Sequence, residues 1–507
     1  MTKKKQILAK NFSPVAPSDA PPLIENIFTH ALVTGGTGSG KTRSVILPLL
    51  EQCLRENASN PALKPALFIT DIKGDIFPAL RLLCEETGRT ADLIDLHVGG
   101  QSSCNLFSFL CEDPDTGADI LYRSAMAAGS KKENTMAGDN IYWERGAITY
   151  LSSVLHWLKR LKASPDPDVL HSIFTGKIDS DWKFPDRLVI SWEKRERVMR
   201  ALGSSPKVES RILASKLSMV YQYYKLDPKT HAIFSSIIDQ IVHVLSHDIL
   251  RLVLSPHPNF SETDWLREGK IVVVRFPFDL HPSASDSATR LLKMSFFRRA
   301  LSRWQGDLSA VERPCYFLLD EAQRFITGDT ESGDQFFVDR CRSAKVGCIY
   351  STQSINSVEA ILGQTHLNTF LALMTARFFG RTLDMPTAAV ASKIMGPIDR
   401  IEGYGGEGLV QVSDPDPDVP PQPVRLSVNS REELSPSDLA ALRPGEFFIS
   451  QGQHRSFRHL PQWRPEHQAQ ISSPLLPPVQ TFAQMDETSE IFLETGEIPP
   501  DDFDEAK

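Results

Sequence analysis

At 507 residues, with 41% apolar and 23% charged side chains, the chain has the make-up of a globular protein with room for two or three domains. It contains no run of 18 apolar residues, its Lys-rich start leads into no apolar core, and its seven cysteines form no C-x-x-C pair. These features argue against a membrane span, a signal peptide and a zinc site, and point to reduced thiols in a cytoplasmic protein. The net charge of −8 is matched by residues 484–507 alone, where nine acids face Lys507; the body therefore sums to zero, and the acidity does not exclude a nucleic-acid partner.

Residues 1–22 are polar and Pro-rich and read as a mobile arm. Ala31-Leu32-Val33 is a short β-leaning run, and directly after it stands Gly35-Gly36-Thr37-Gly38-Ser39-Gly40-Lys41-Thr42, which satisfies G-x-x-x-x-G-K-[ST]. Glycines let consecutive backbone N–H groups turn onto an anion, and the helix expected from Arg43 to Leu50 adds the positive end of its dipole. Gly35 to Arg43 is thus the expected ATP-binding segment. Lys41 is placed to reach the β- and γ-phosphates, and Thr42 to ligate Mg²⁺. Pro48 falls in the first turns of that helix.

Further on, Ala66–Thr70 and Asp92–Leu96 read as buried strands, so that 23–110 carries the β-α-β signature of a parallel sheet. From 111 to 250 strand signals give way to helical patterns, as expected of an all-α unit inserted into the nucleotide domain. Strands return at Lys270–Phe276, Tyr316–Leu319, Gly347–Tyr350 and Phe447–Ile449, placing the second part of the nucleotide domain at 251–465. Residues 413–424 read as an exposed loop. The stretch 466–507 is Pro-rich, then acidic, and reads as a disordered tail.

A phosphate loop needs carboxylates at the end of a neighbouring strand. Tyr316-Phe317-Leu318-Leu319-Asp320-Glu321 supplies two at a C-terminal strand end, where α/β sheets bind ligands. Asp320 is expected to hold Mg²⁺ through water, and Glu321 to orient and deprotonate the attacking water. The next strand ends in Thr352-Gln353, which makes Gln353 a candidate γ-phosphate sensor, the alternative being a cap for the next helix. Arg340 and Arg342 are alternatives for an arginine finger acting on a neighbouring subunit. Two basic clusters offer phosphate-backbone contacts. One is 183–225, with ten bases and four acids. The other is 287–304, with five bases, no acid, and an apolar stripe of Met294, Phe297, Leu301 and Trp304.

The phosphate loop, Asp320-Glu321 and Gln353 together resemble the FtsK–HerA class of ring-forming DNA motors. More narrowly, the chain is similar to the type IV secretion coupling proteins, the conjugative DNA-transfer ATPases of the TraG/TraD kind. Asp71-Ile72-Lys73-Gly74-Asp75 resembles that family's D-x-K-G-E/D segment. Cys104-Asn105-Leu106 resembles its N-P-L without the proline, and Asp139-Asn140-Ile141-Tyr142-Trp143 its entry to the helical domain. Arg431–Pro436 with Leu442–Glu446 resembles its C-terminal region. The resemblance spans about residues 25–465. It implies a RecA-like P-loop NTPase domain with an inserted all-α domain, and a homo-hexameric ring with ATP at its interfaces that drives DNA toward a type IV secretion channel. Relaxase or relaxosome proteins are the implied partners, with the acidic tail as a docking segment. The family's two N-terminal membrane helices have no counterpart here, so a separate anchor protein is expected to bring a cytoplasmic motor to the inner membrane. Two alternatives stay open: a soluble HerA-like motor working with a nuclease or defence system, and a nucleotide-gated adaptor that recruits protein substrates.

Overall fold

The computed structural model describes residues 23–126, 137–161, 203–303 with short breaks, 312–328, 333–402 and 427–463 without 453. The N-terminal arm, the loop 413–424, most of the basic cluster 183–225 and the acidic tail lie outside the described residues. The strands are β1 (Ala31–Thr34), β2 (Ala66–Thr70), β3 (Leu93–Leu96), β4 (Ile271–Val274), β5 (Cys315–Leu319), β6 (Val346–Thr352), β7 (Ala376–Phe379), β8 (Pro397–Glu402), β9 (Ser427–Glu433), β10 (Glu446–Gln451) and β11 (His454–His459). The chain forms two compact units, 1–52 with 351–507, and 53–350; β6 runs from the second into the first.

In the unit 53–350 the strand order is β6-β5-β2-β4-β3, every pairing parallel, with Ile69 opposite both Leu318 and Val273. The runs AlaLeuPheIleThr, IleValValVal and CysTyrPheLeuLeu are buried at every position, as strands covered on both faces must be. Phe68 stacks on Phe317 and Trp265 at ring-centroid distances of 5.3 and 5.4 Å, and Phe297 lies 3.7 Å from Phe337. Between β3 and β4 the described residues hold helices and one isolated bridge, Asn105 to Leu254. That bridge, with Cys104 N–H on Leu252 O and Ser255 N–H on Cys104 O, joins the two ends of the helical stretch.

The helix Pro282–Ser302 corrects one expectation. Its bases form no open stripe for a phosphate backbone. Lys293 is fully buried and paired with Asp334 at 2.5 Å, while also donating to Phe325 O at 2.7 Å. Arg298 pairs with Asp113, Arg299 with Glu112, Arg290 donates to Arg324 O, and Arg303 to Arg313 O. Met294 and Phe297 are core residues, whereas Trp304 lies outside the described residues. The acidic partners of Lys293, Arg298 and Arg299 sit 41, 185 and 187 residues away, so no local pattern betrays them.

In the unit containing 1–52 and 351–507 the order is β11-β10-β7-β1, with Gly35 N–H reaching Thr352 O at the end of β6 at 3.3 Å. β1 and β7 are parallel, with Val33 opposite Phe378, while β10 is antiparallel to both β7 and β11. The arrangement is thus mixed, its antiparallel pairs β7–β10 and β10–β11 lying outside 23–110, the stretch read as a parallel sheet. β11, His454–His459, is polar and largely exposed, which suits an edge strand. Ser435 opens the helix Pro436–Ala440 with a reciprocal capping box to Asp438. None of the seven cysteines forms a disulfide, and among the described residues no helix is long and apolar enough to cross a membrane.

Asp334 accepts from Lys293, Thr327 N–H and Tyr350 Oη, so removing the cation strands a charge in the core. Lys293→Ala is expected to cost about 3–5 kcal/mol, read as a lower urea midpoint; an unchanged midpoint would show that the pair is not structural.

Candidate active site

The phosphate loop leaves β1 at Thr34 and enters a helix whose first turn, Lys41–Ile46, is wound wide, with Leu47 N–H bonded to Thr42 O. The regular helix Leu47–Arg55 follows. A wide turn loosens the position where the Pro48 ring would otherwise press on the preceding turn, which explains how proline is accommodated there. Gly38 and Gly40 have φ of 73° and 95°, left-handed values that allow successive N–H groups to face one point.

Backbone from two distant turns braces the loop. Gly36 N–H donates to Arg381 O at 2.7 Å, and Gly445 N–H donates to Ser39 O at 2.9 Å. A Cβ on Gly40 would stand 2.8 Å from Gly445 N. Lys41 is 8% exposed; its ammonium donates to the carbonyls of Gly35 and Gly36, the second at 3.3 Å. Thr37 Oγ1 donates to Gln353 Oε1 at 3.3 Å, so Gln353 does lie against the loop. Thr42 is half-buried and Arg43 exposed, and Arg43 O accepts from Trp463 N–H. The hydroxyls of Ser39 and Ser44 are buried with no hydrogen-bond partner among the described residues. A left-handed glycine cradle, a retracted lysine and unsatisfied hydroxyls fit a polyphosphate and its magnesium ion.

In the other unit, Asp320 and Glu321 follow β5. Asp320 is buried, and its N–H donates to Thr70 Oγ1 at 2.9 Å, tying the end of β5 to that of β2. Glu321 takes left-handed φ and ψ of 50° each and is 7% exposed. Its carboxylate accepts from the Lys73 ammonium and, at 2.6 Å, from Gln323 Nε2. Burial alone would lower the Lys73 pKa, but its bond to Glu321 and the charges of Glu321, Asp320 and Asp75 raise it. The sequence singled out the segment Asp71–Asp75 only by resemblance; that Lys73 meets Glu321, 248 residues on, no local pattern reveals. Asp71 is buried and accepts from Phe77 N–H at 2.8 Å, and burial raises its pKa.

Arg340 and Arg342 are both exposed at the C-terminal end of the helix Asp334–Cys341, Arg340 lying 5.6 Å over the Phe336 ring. Of the cluster 183–225, Lys207 and Arg211 are exposed, whereas Lys216 pairs with Asp115 and Ser152.

A glycine-cradled phosphate loop after a strand, with strand-end carboxylates in an α/β sheet, defines the class as a RecA-like P-loop NTPase fold. Residues 314–402 match a family model described as the TraM recognition site of TraD and TraG. The fold is similar to that of the bacterial conjugative coupling protein TrwB. Its unbound TrwBΔN70 form is 15% identical, with a TM-score of 0.53 over 88% of this chain and 87% of that one. Its complex with ADP and Mg²⁺ is 14% identical, with a TM-score of 0.54 over 90% and 93%. Its complex with a non-hydrolysable GTP analogue has a TM-score of 0.51 at 14% identity over 88% and 90%. No curated protein matches the chain in sequence. In fold and in residues 314–402, the chain resembles the type IV coupling proteins.

Alanine at Gly40 must adopt a left-handed backbone, at about 1–2 kcal/mol, and push Gly445 aside. Gly40→Ala is therefore expected to weaken binding of a fluorescent ATP analogue about tenfold or more; unaltered affinity would show that the brace does not shape the loop.

Proposed function

We propose that the chain is an ATP-hydrolysing DNA translocase of the coupling-protein type, acting with relaxosome proteins at a type IV secretion channel. The observation that carries this reading is the braced loop with Lys41 drawn in and Gln353 at Thr37. Lys41 exchanges its bonds to the Gly35 and Gly36 carbonyls for the β- and γ-phosphates. The N–H groups around Gly38 and Gly40 take the remaining phosphate charge. Thr42 and, through water, Asp320 would hold Mg²⁺, which would neutralise charge developing on the phosphates. Glu321 accepts the proton of the attacking water, and Gln353 reads the γ-phosphate and passes its loss to β6. Arg340 or Arg342, both exposed, serves as the finger toward a neighbouring copy in a hexamer.

The family description of residues 314–402 supports a protein-docking role for this segment beside the nucleotide chemistry. Transfer of DNA and the ring belong to the same proposal. With the bases of helix 282–302 engaged internally, DNA contact falls to other surfaces, the basic cluster 183–225 being the candidate.

Glu321→Gln keeps the size of the side chain but not its basicity. It is expected to bind ATP as the parent does and to lose about 10²- to 10⁴-fold in kcat; unchanged turnover removes Glu321 from the chemistry. Turnover of the parent is expected to rise with DNA and to lose that rise as salt increases, because phosphate contacts release counterions. Turnover indifferent to DNA at every salt concentration contradicts the translocase reading and favours the adaptor.

A further inference from the structure

Lys73 has no place in the hydrolysis scheme, yet it touches the residue that scheme depends on most. It sits in the loop between β2 and the helix Phe77–Glu86, whose start is fixed by Asp71 accepting from Phe77 N–H. The Lys73 ammonium lies on Glu321 Oε1, and Gln323 donates to Oε2. Both oxygens of the proposed base therefore carry a donor. The two partners differ in setting, since the Lys73 side chain is 50% exposed and that of Glu321 9%.

An ammonium bonded to a carboxylate occupies one of its lone pairs, lowers its basicity toward a water proton and fixes the orientation of the group. Glu321 is the less mobile partner, being 7% exposed and holding a donor on each carboxylate oxygen. Lys73, by contrast, is on a connecting loop with its side chain half exposed, so on release its ammonium returns to water. We propose that Lys73 is a positioning residue that restrains Glu321: in the resting chain it occupies the carboxylate, and turnover requires it to let go of Oε1. The inference rests on the hydrolytic role proposed for Glu321.

The test is steady-state ATP hydrolysis by the full chain without DNA, comparing the parent with Lys73→Met, Lys73→Arg and Glu321→Gln. Lys73→Met is expected to raise kcat about three- to tenfold, the size of a half-solvated charge pair, with KM unchanged. Lys73→Arg restores a cation and is expected to stay within about twofold of the parent. A Lys73→Met kcat at or below the parent's, or a Lys73→Arg kcat raised equally, overturns the inference. If Glu321→Gln turns over like the parent, the hydrolytic reading itself fails; if it is dead while Lys73→Met is no faster, only the role of Lys73 fails. Should Lys73→Met lose its folded circular-dichroism signal, Lys73→Gln takes its place with the same outcomes.

Discussion

Two backbone hydrogen bonds hold the phosphate loop in the shape on which its chemistry depends. Arg381 O takes Gly36 N–H on one side, and Ser39 O takes Gly445 N–H on the other. A loop that binds an anion through its own N–H groups must not waste them on folding, and must not collapse when empty. Here the bracing comes through one N–H near its start and one carbonyl in its middle. The lysine stays inside by donating to Gly35 and Gly36 carbonyls, which a phosphate would displace. Because the bracing atoms are backbone, the close approach demands glycine at Gly40.

The unit 53–350 meets a different constraint, that of presenting carboxylates at the end of a fully buried strand. β5 is apolar throughout, and the chain turns sharply at Glu321. Thr70 secures the backbone of Asp320, its hydroxyl accepting from Asp320 N–H. Behind β5, Asp334 gathers Lys293, Thr327 and Tyr350 into one buried network, so helix 282–302, the segment after the carboxylates and β6 are held together. A buried charge pair of this kind adds little net stability but makes misplacement of any of its members costly.

What the sequence reveals follows from how local each feature is. The phosphate loop is legible because eight consecutive residues and their backbone do its work. β2, β4 and β5 are legible because strands buried on both faces show as unbroken apolar runs. β7 escapes notice, being only Ala376–Phe379, close behind an apolar helix end and interrupted by Arg377, whose guanidinium turns back to Leu371 O. β11 is missed because an edge strand written His-Arg-Ser-Phe-Arg-His carries no alternation. The bases of helix 282–302 mislead for the opposite reason. They look like a surface stripe, but Asp334, Asp113 and Glu112 come from elsewhere in the chain to neutralise them. The meeting of Lys73 with Glu321 is likewise a product of β2 lying beside β5.

The account stands or falls on whether the braced loop is where the chain spends ATP. The most direct measurement is Mg²⁺-dependent ATP hydrolysis by the purified full chain beside a Lys41→Ala variant of unchanged fold. The account predicts turnover in the parent, lost on removal of magnesium, and at least a hundredfold less turnover in the variant, about 2.7 kcal/mol. Equal turnover in both proteins would contradict it and place the activity outside this loop.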